Sequence, residues 1–460
     1  MCIRDRRISD HNESLNAIVT FDDEGADEAA ADADEQLVTG EPGPPLLGLP
    51  MTIKDALATK GVRSTGGAVE LADHVPTADA EAVARTRSAG AVIMGKTNLP
   101  RWSADVQAYN DIFGATNNPW DLSCGPGGSS GGASAAVAAG LTGADLGTDI
   151  GGSVRLPAHF AGVCGHKPTF GIVPQRGYID QVDYETTDPD VNVIGPIARS
   201  VDDCELLLDV LAGPPADAQS AWTLSLPASR HDSPASFRVA AHLDDPFVAV
   251  SAAVATVLDR AVQVIEASAV QVDRSAWPTD LAFSDVVDVG LPLISAATSP
   301  ARGGEVFEEM QRIALDPTGH PESKQMRARS TAMFHRDWIL LSGQRELNRQ
   351  KWQRFFTDFD VLLAPVAHVA AFAHVHEGTL YDRTLVVDGV ERPYTELIMW
   401  TSQFGYVGLP STVVPVGLTD AGLPVGIQVV GPPLGDRTTL VFARHIEAVL
   451  GGYQPPPNYQ

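Results

Sequence analysis

The chain of 460 residues is 44% hydrophobic and 20% charged, and its 32 basic residues are outnumbered by 58 acidic ones, for a formal charge of -26. That composition is ordinary for a folded α/β protein, with length enough for one large core or two domains. The negative field excludes nucleic acid and anionic membrane surfaces as expected partners, and a lysine-poor, acid-rich surface suits a saline-adapted source.

Four cysteines, Cys2, Cys124, Cys164 and Cys204, lie far apart without C-x-x-C spacing. Neither a disulfide framework nor a zinc site is therefore expected, and a reducing cytoplasm is the expected compartment. No apolar run approaches the roughly 18 residues a membrane-spanning helix needs. The first residues, MCIRDRRISD, carry arginines with no apolar stretch behind them, unlike a signal peptide.

In chain order, the acidic and alanine-rich residues 22–36 predict a solvated helix, and a Pro/Gly loop then leads into a short strand at Met51–Ile53. EAVARTRSAGAVIMGKTN predicts a helix, a glycine stop and a buried strand at Ala91–Met94. GASAAVAAGLTGADLGTD predicts a small-residue helix packed closely on a sheet, followed by a glycine-rich turn. Residues 214–235 read as a Pro/Ala/Ser loop, SFRVAAHLD as a strand and VSAAVATVLDRAVQVIEASA as a helix. Residues 281–356 read as mostly helical, DVLLAPVA as a buried strand, and GLPSTVVPVGLTDAGLPVGIQVVG as two strands around a turn. Alternating helix and strand signals predict α/β architecture, and the returning strands predict one domain, 1–460. No internal repeat is evident.

Three places carry candidate chemistry. GPGGSSGGASAAVAAG, residues 125–140, surrounds Ser129 and Ser130 with glycines. Such a run is a loop, an anion cradle at a helix start, or a mount for a catalytic serine. It fits the G-x-S-x-G nucleophile elbow, but DLSCGPGG ahead of it is a poor strand, and no Lys-Ser/Thr follows for a phosphate loop. GTDIGGSVRLPA, residues 147–158, puts Gly151 and Gly152 before Ser153. The pattern suits either a tight turn or converging backbone N–H groups that receive an oxyanion. Lys54 ends the apolar segment Leu49–Ile53. It either snorkels or caps the strand, or it sits dry and loses its proton to act as a base.

Together, Lys54, Ser129 and Ser153, spaced by 75 and 24 residues, resemble the amidase signature family with its Ser–cisSer–Lys triad. The resemblance runs through LNAIV, GLPMTIKD, KTNLP, NNPWDLSCGPGGSSGGASAAVAAG, GTDIGGSVRLPA, GVCGHKPT, FDVLLAPV and LPVGIQVVG. It implies a single large mixed β-sheet covered by helices on both faces. It also implies a cis peptide before Ser129, an acyl-enzyme on Ser153, and a proton relay from Ser129 to neutral Lys54. The backbone N–H groups of Ile150, Gly151, Gly152 and Ser153 would hold the oxyanion. Ser130 would brace the loop, and Asp149 and Arg155 would orient it. No metal or organic cofactor is implied; the partner is a small-molecule amide, and a homodimer is left open.

Within the family, the amidotransferase component that releases ammonia from glutamine typically carries Asp-Thr-Gly-Gly-Ser and a glutamine after the arginine. Here Ile150 and Leu156 stand at those places, which argues for a stand-alone amidase of less polar amides. The Ile150 form also resembles the fatty-acid amide and cyclic-amide hydrolase branches. The variable segment, about 214–356, is expected to shape the substrate pocket. The competing readings are a non-enzymatic relative and a subunit that depends on a partner. His368, His374 and His376 suggest a metal only weakly, with no carboxylate or cysteine ligands near them in sequence. Cys124 and Cys164 read as small buried hydrophobes, and Trp120 as a packing residue after a turn. Family members carry more helix ahead of LNAIV than this chain, so an N-terminally clipped sequence is expected.

Overall fold

Short runs of apolar and β-branched residues join one mixed sheet of eleven strands in the computed structural model, which describes residues 3–179, 186–301 and 303–460. The strands are β1 (Ile18–Phe21), β2 (Pro50–Lys54), β3 (Val92–Thr97), β4 (Ala144–Asp149), β5 (Cys164–Lys167) and β6 (Val193–Ala198). They continue with β7 (Val239–Ala241), β8 (Val272–Asp273), β9 (Val361–Pro365), β10 (Ser411–Leu418) and β11 (Pro424–Val430). Their spatial order is β1-β3-β2-β4-β6-β5-β10-β11-β9-β7-β8. β2 runs parallel to both β3 and β4, while β10 pairs antiparallel with β5 and β11. The C-terminal strands thus return to the sheet begun near the N-terminus, with Ser411 opposite Lys167 and Val413 opposite Gly165.

Alternation along the strands feeds two apolar layers, as the period-2 geometry requires. Val361 and Leu363 of β9 pack with the helices Val201–Leu211, Ala252–Ala267 and Asp436–Leu450. Leu362 and Ala364 face the opposite way, against Trp352, Phe356 and Trp400. The expected fold class, a mixed sheet with helices on both faces, is the one observed.

The small-residue helix is Gly131–Ala138, and every residue in it is buried. It lies so close to the β3 end that a Cβ on Gly132 would stand 2.3 Å from the Asn98 backbone nitrogen. One element departs from the sequence reading. GADLGTD reads as part of a turn, yet Ala144–Asp149 is the fully buried strand β4. A strand covered on both faces loses the apolar/polar alternation that would announce it. Gly147 is small because a Cβ there would meet Ser130 Oγ at 2.8 Å and Val154 Cγ2 at 3.0 Å. Residues 281–356 are mostly helical as read, with helices Leu291–Ala297, Gly304–Leu315, Glu322–Thr331 and His335–Asp358. Among the described residues, no helix is long and apolar enough to cross a membrane.

Candidate active site

The parallel β3-β2-β4 trio ends at the site. Lys54, the last residue of β2, is fully buried. Its Nζ donates to Thr148 Oγ1 at 2.7 Å and lies 2.6 Å from Ser129 Oγ. Burial pushes its amine down from 10.5 to about 7, against the opposing pull of Asp149 and Asp145. An ammonium stripped of water loses hydration that two hydroxyls replace only in part, so the neutral amine is favoured. A neutral amine has a lone pair, and the neighbouring hydroxyl of Ser129 can donate into it.

Ser129 is reached through a cis Gly128–Ser129 peptide. The glycines around it answer to space. A Cβ on Gly128 would lie 2.6 Å from the Gln107 backbone nitrogen, and Gly127 adopts a φ of +84° with Phe160 Cδ2 only 2.7 Å from its would-be Cβ. Ser130, at the start of the small-residue helix, shares weak bonds of 3.4 Å with the Thr148 backbone, and its N–H donates to the Ser153 carbonyl at 3.2 Å. The two serine loops are therefore tied together directly.

Ser153 follows β4 in a loop held from beneath by Asp149. The Asp149 carboxylate accepts the N–H groups of Gly152 (2.9 Å), Val154 (3.1 Å) and Arg155 (3.3 Å). It also pairs with the buried Arg155 guanidinium at 3.0 and 2.9 Å. Burial alone would raise the Asp149 carboxyl, but the Arg155 charge and these donors hold it below the usual carboxylate range. Arg155 reaches on to the Thr401 carbonyl (2.8 Å) and Gln428 Oε1 (3.2 Å), anchoring the loop to the far half of the chain. One expected donor is corrected: the Gly152 N–H is spent on Asp149. The N–H groups of Ile150, Gly151 and Ser153 have no partner among the described residues. Gly152 instead supplies a φ of +124° that turns the loop.

Ile150, Gly151 and Ser153 line a cavity of about 430 Å³. Val106, Tyr109 and Ile398 give it apolar walls, and Ile294, Thr298 and Arg327 enter from the helical segment. A larger cavity of about 540 Å³ opens among residues 288–344 and includes none of the candidate site residues. Sequence reasoning missed a polar brace in the wall of the site. The Arg383 guanidinium donates to Asp105 Oδ2 and to Tyr109 OH, both at 2.6 Å, and to the carbonyls of His376, Glu377 and Gly378. Asp105 and Arg383 are 278 positions apart, with no local pattern to link them. Thr148 was also missed, although it lies inside the GTDIGGS stretch.

The remaining candidates are ordinary in place. His374 bonds Asn117 Oδ1 at 3.0 Å, and His376 stacks on Tyr109 with ring centres 4.0 Å apart. His368 is buried with neither ring nitrogen partnered, and burial pushes its imidazole down to about 3. Among the described residues, no group of three or more His, Cys, Asp or Glu is placed to hold a metal ion. Cys124, Cys164 and Cys204 are free and buried, whereas Cys2 lies outside the described residues. Trp120 packs with its Nε1 donating to the Ala161 carbonyl at 2.9 Å.

The Amidase family model matches residues 5–440. The chain belongs to that family. Among its relatives is a glutamyl-tRNA(Gln) amidotransferase subunit from Roseiflexus sp. (strain RS-1), 34% identical over 434 residues, covering 89% of this chain and 84% of that protein. The corresponding subunit from Desulforapulum autotrophicum is 42% identical over 221 residues, a stretch that spans 48% of this chain and only 44% of the relative. In three dimensions the amidase-family chain is similar to a bacterial aryl acylamidase of the amidase signature enzymes, with a TM-score of 0.79, 25% identity, and coverage of 99% of this chain and 92% of that one.

Proposed function

We propose that the chain, as one amidase domain, hydrolyses carboxylic amides through an acyl-enzyme on Ser153. The observation that carries the reading is the fully buried Lys54 amine 2.6 Å from Ser129 Oγ. Ser153 Oγ attacks the amide carbon while its proton passes to Ser129, and the Ser129 proton passes to the Lys54 lone pair. The N–H groups of Ile150, Gly151 and Ser153 receive the negative oxygen that develops. On collapse, the proton returns through Ser129 to the departing nitrogen, the C–N bond breaks and the amine leaves. Water then enters by the same relay and releases the carboxylic acid. Ser130, Asp149 and Arg155 keep the loops in register.

A stand-alone amidase of less polar amides is favoured by the apolar walls and by Ile150 and Leu156, where the glutamine-hydrolysing branch carries polar side chains. Arg383, the most buried cation of the wall, has its charge matched by Asp105 and most of its donors engaged by Tyr109 and three carbonyls, which favours a structural brace over a seat for a substrate carboxylate. The second reading, a glutamine-hydrolysing subunit of a tRNA-dependent amidotransferase, is supported by the names of the relatives. A reducing cytoplasm remains the proposed location, and a homodimer the simplest assembly to test. A fluorophosphonate probe with peptide mapping tests the mechanism: the label is expected on Ser153 and lost in Ser153→Ala. A label on Ser129 would refute it. Turnover of aryl and aliphatic amides by the purified chain, with glutamine untouched, separates the two readings.

A further inference from the structure

Beside Lys54 the sheet buries a second carboxyl that the reaction above does not use. Asp145 of β4 is in register with Thr52 of β2, two residues before Lys54 on the same strand face. Thr52 Oγ1 donates to Asp145 Oδ2 at 2.6 Å, and Thr97 Oγ1 donates to the same oxygen at 3.0 Å. Oδ1 has no partner, and the residue is wholly buried. A dry carboxylate with one oxygen unmatched is costly, so it must either keep a proton or draw on a neighbouring ammonium.

The charges around it come from three strands. Lys54 of β2 and Lys96 of β3 act on Asp145, Asp149 at the end of β4 acts on Lys54, and Asp55, Asp79 and Arg87 act on Lys96. Lys96 is itself held by the Leu57 carbonyl, Thr59 and Ser64, and so is directed away from the catalytic serines. Burial pushes the Asp145 carboxyl up to about 7, the same range to which it pushes the Lys54 amine down. Two groups that interact across that range share their protons as a pair.

We propose that Asp145 is a positioning residue of the amide cleavage: fixed beside β2 by Thr52 and Thr97, its charge sets the pH at which Lys54 is free to take the proton of Ser129. This rests on Lys54 being the base. An ionised Asp145 holds a proton on Lys54, and a neutral Asp145 releases it. Proton uptake at one group discourages uptake at the other, so the acid limb of the reaction is spread over two overlapping ionisations rather than one.

The test is the rate of fluorophosphonate labelling at Ser153 measured from about pH 5 to about pH 9, which needs no knowledge of the amide. The wild type should show a shallow acid limb. Asp145→Asn should give a single-proton limb with its midpoint lower by about one pH unit. Thr97→Val removes a donor that favours the ionised carboxyl, and should move the midpoint in the same direction by less. A purely structural role for Asp145 would change the rate at every pH and leave the midpoint in place, and that result overturns the proposal. So does an upward shift in either variant. If Asp145→Asn does not fold, Thr97→Val decides alone by the direction of its shift. Failure of the wild type to label at Ser153 is a distinct outcome, because it defeats the proposed function on which this inference stands.

Discussion

Replacing Lys54 with methionine should abolish labelling of Ser153 and yet make the protein more stable relative to wild type at pH 7 than at pH 10. In the folded protein the Lys54 amine is lowered from 10.5 to about 7 by burial. At about 1.4 kcal/mol per pH unit, that displacement is about 5 kcal/mol of destabilisation when the amine is protonated. The sign follows from proton counts. Between pH 7 and 10.5 the unfolded chain binds the proton and the folded chain does not, so wild-type stability rises with pH across that window and the full penalty applies below it. Methionine has no such dependence. It fills similar space, and it forfeits the contacts to Ser129 and Thr148, each of about 1 kcal/mol. From pH 7 to pH 10 the wild type should therefore gain about 4 kcal/mol on the variant. With an unfolding entropy of about 2.1 cal/mol/K per residue, this is a relative shift of about 4 °C in melting temperature for a chain of this length. Calorimetry of both proteins across that range measures the difference. Both carry Lys96 and Lys167, whereas Asp145 loses the Lys54 charge in the variant, keeps its proton to higher pH there, and so widens the difference in the same direction. A difference that stays constant with pH would mean that Lys54 keeps an ordinary amine in the fold, and the base mechanism would fall with it.

Two further substitutions probe the Ser153 loop. Gly152→Ala forces a Cβ to within 2.4 Å of Thr401 Oγ1 at a φ of +124°, so the donors beside Ser153 should shift, the labelling rate should fall by about 100-fold, and the clash and strain should cost about 1–3 kcal/mol in urea titrations. Arg155→Met leaves the buried Asp149 carboxylate without its counter-charge and should destabilise the protein by about 3–5 kcal/mol in urea titrations at pH 7. Burial alone raises the Asp149 carboxyl, so without Arg155 the variant should take up a proton there above the ordinary carboxylate range, and the difference should begin to shrink as the pH falls towards that range. Below about 4, where the unfolded chain is also protonated, the wild type loses its own advantage and the difference shrinks further.

Much of this molecule is legible in the sequence because the information is local. The helix Ala252–Ala267 announces itself by apolar spacing, and β9 by a short run of valine and leucine. The glycines around Ser129 and Ser153 mark places where backbone approaches backbone, and the family resemblance attached roles to Lys54, Ser129 and Ser153. Strand β4 was not legible, because a strand buried on both faces and built of Ala, Asp, Leu, Gly and Thr carries no alternation to read.

The tertiary structure decided the rest, through contacts between residues far apart in the chain. Thr148 became a partner of Lys54 only when β4 paired beside β2, 94 positions away. The same pairing set Asp145 next to Thr52 and Thr97, and made an unremarkable acidic residue a neighbour of the candidate base. The Gly152 N–H was an expected oxyanion donor until the loop folded back onto Asp149 and consumed it. Residue type tells what chemistry a side chain can do, and that is written in the sequence. Whether a lysine is dry, whether an N–H is free, and which charge lies beside which are properties of the packed sheet, because burial and proximity exist only after the distant segments have met.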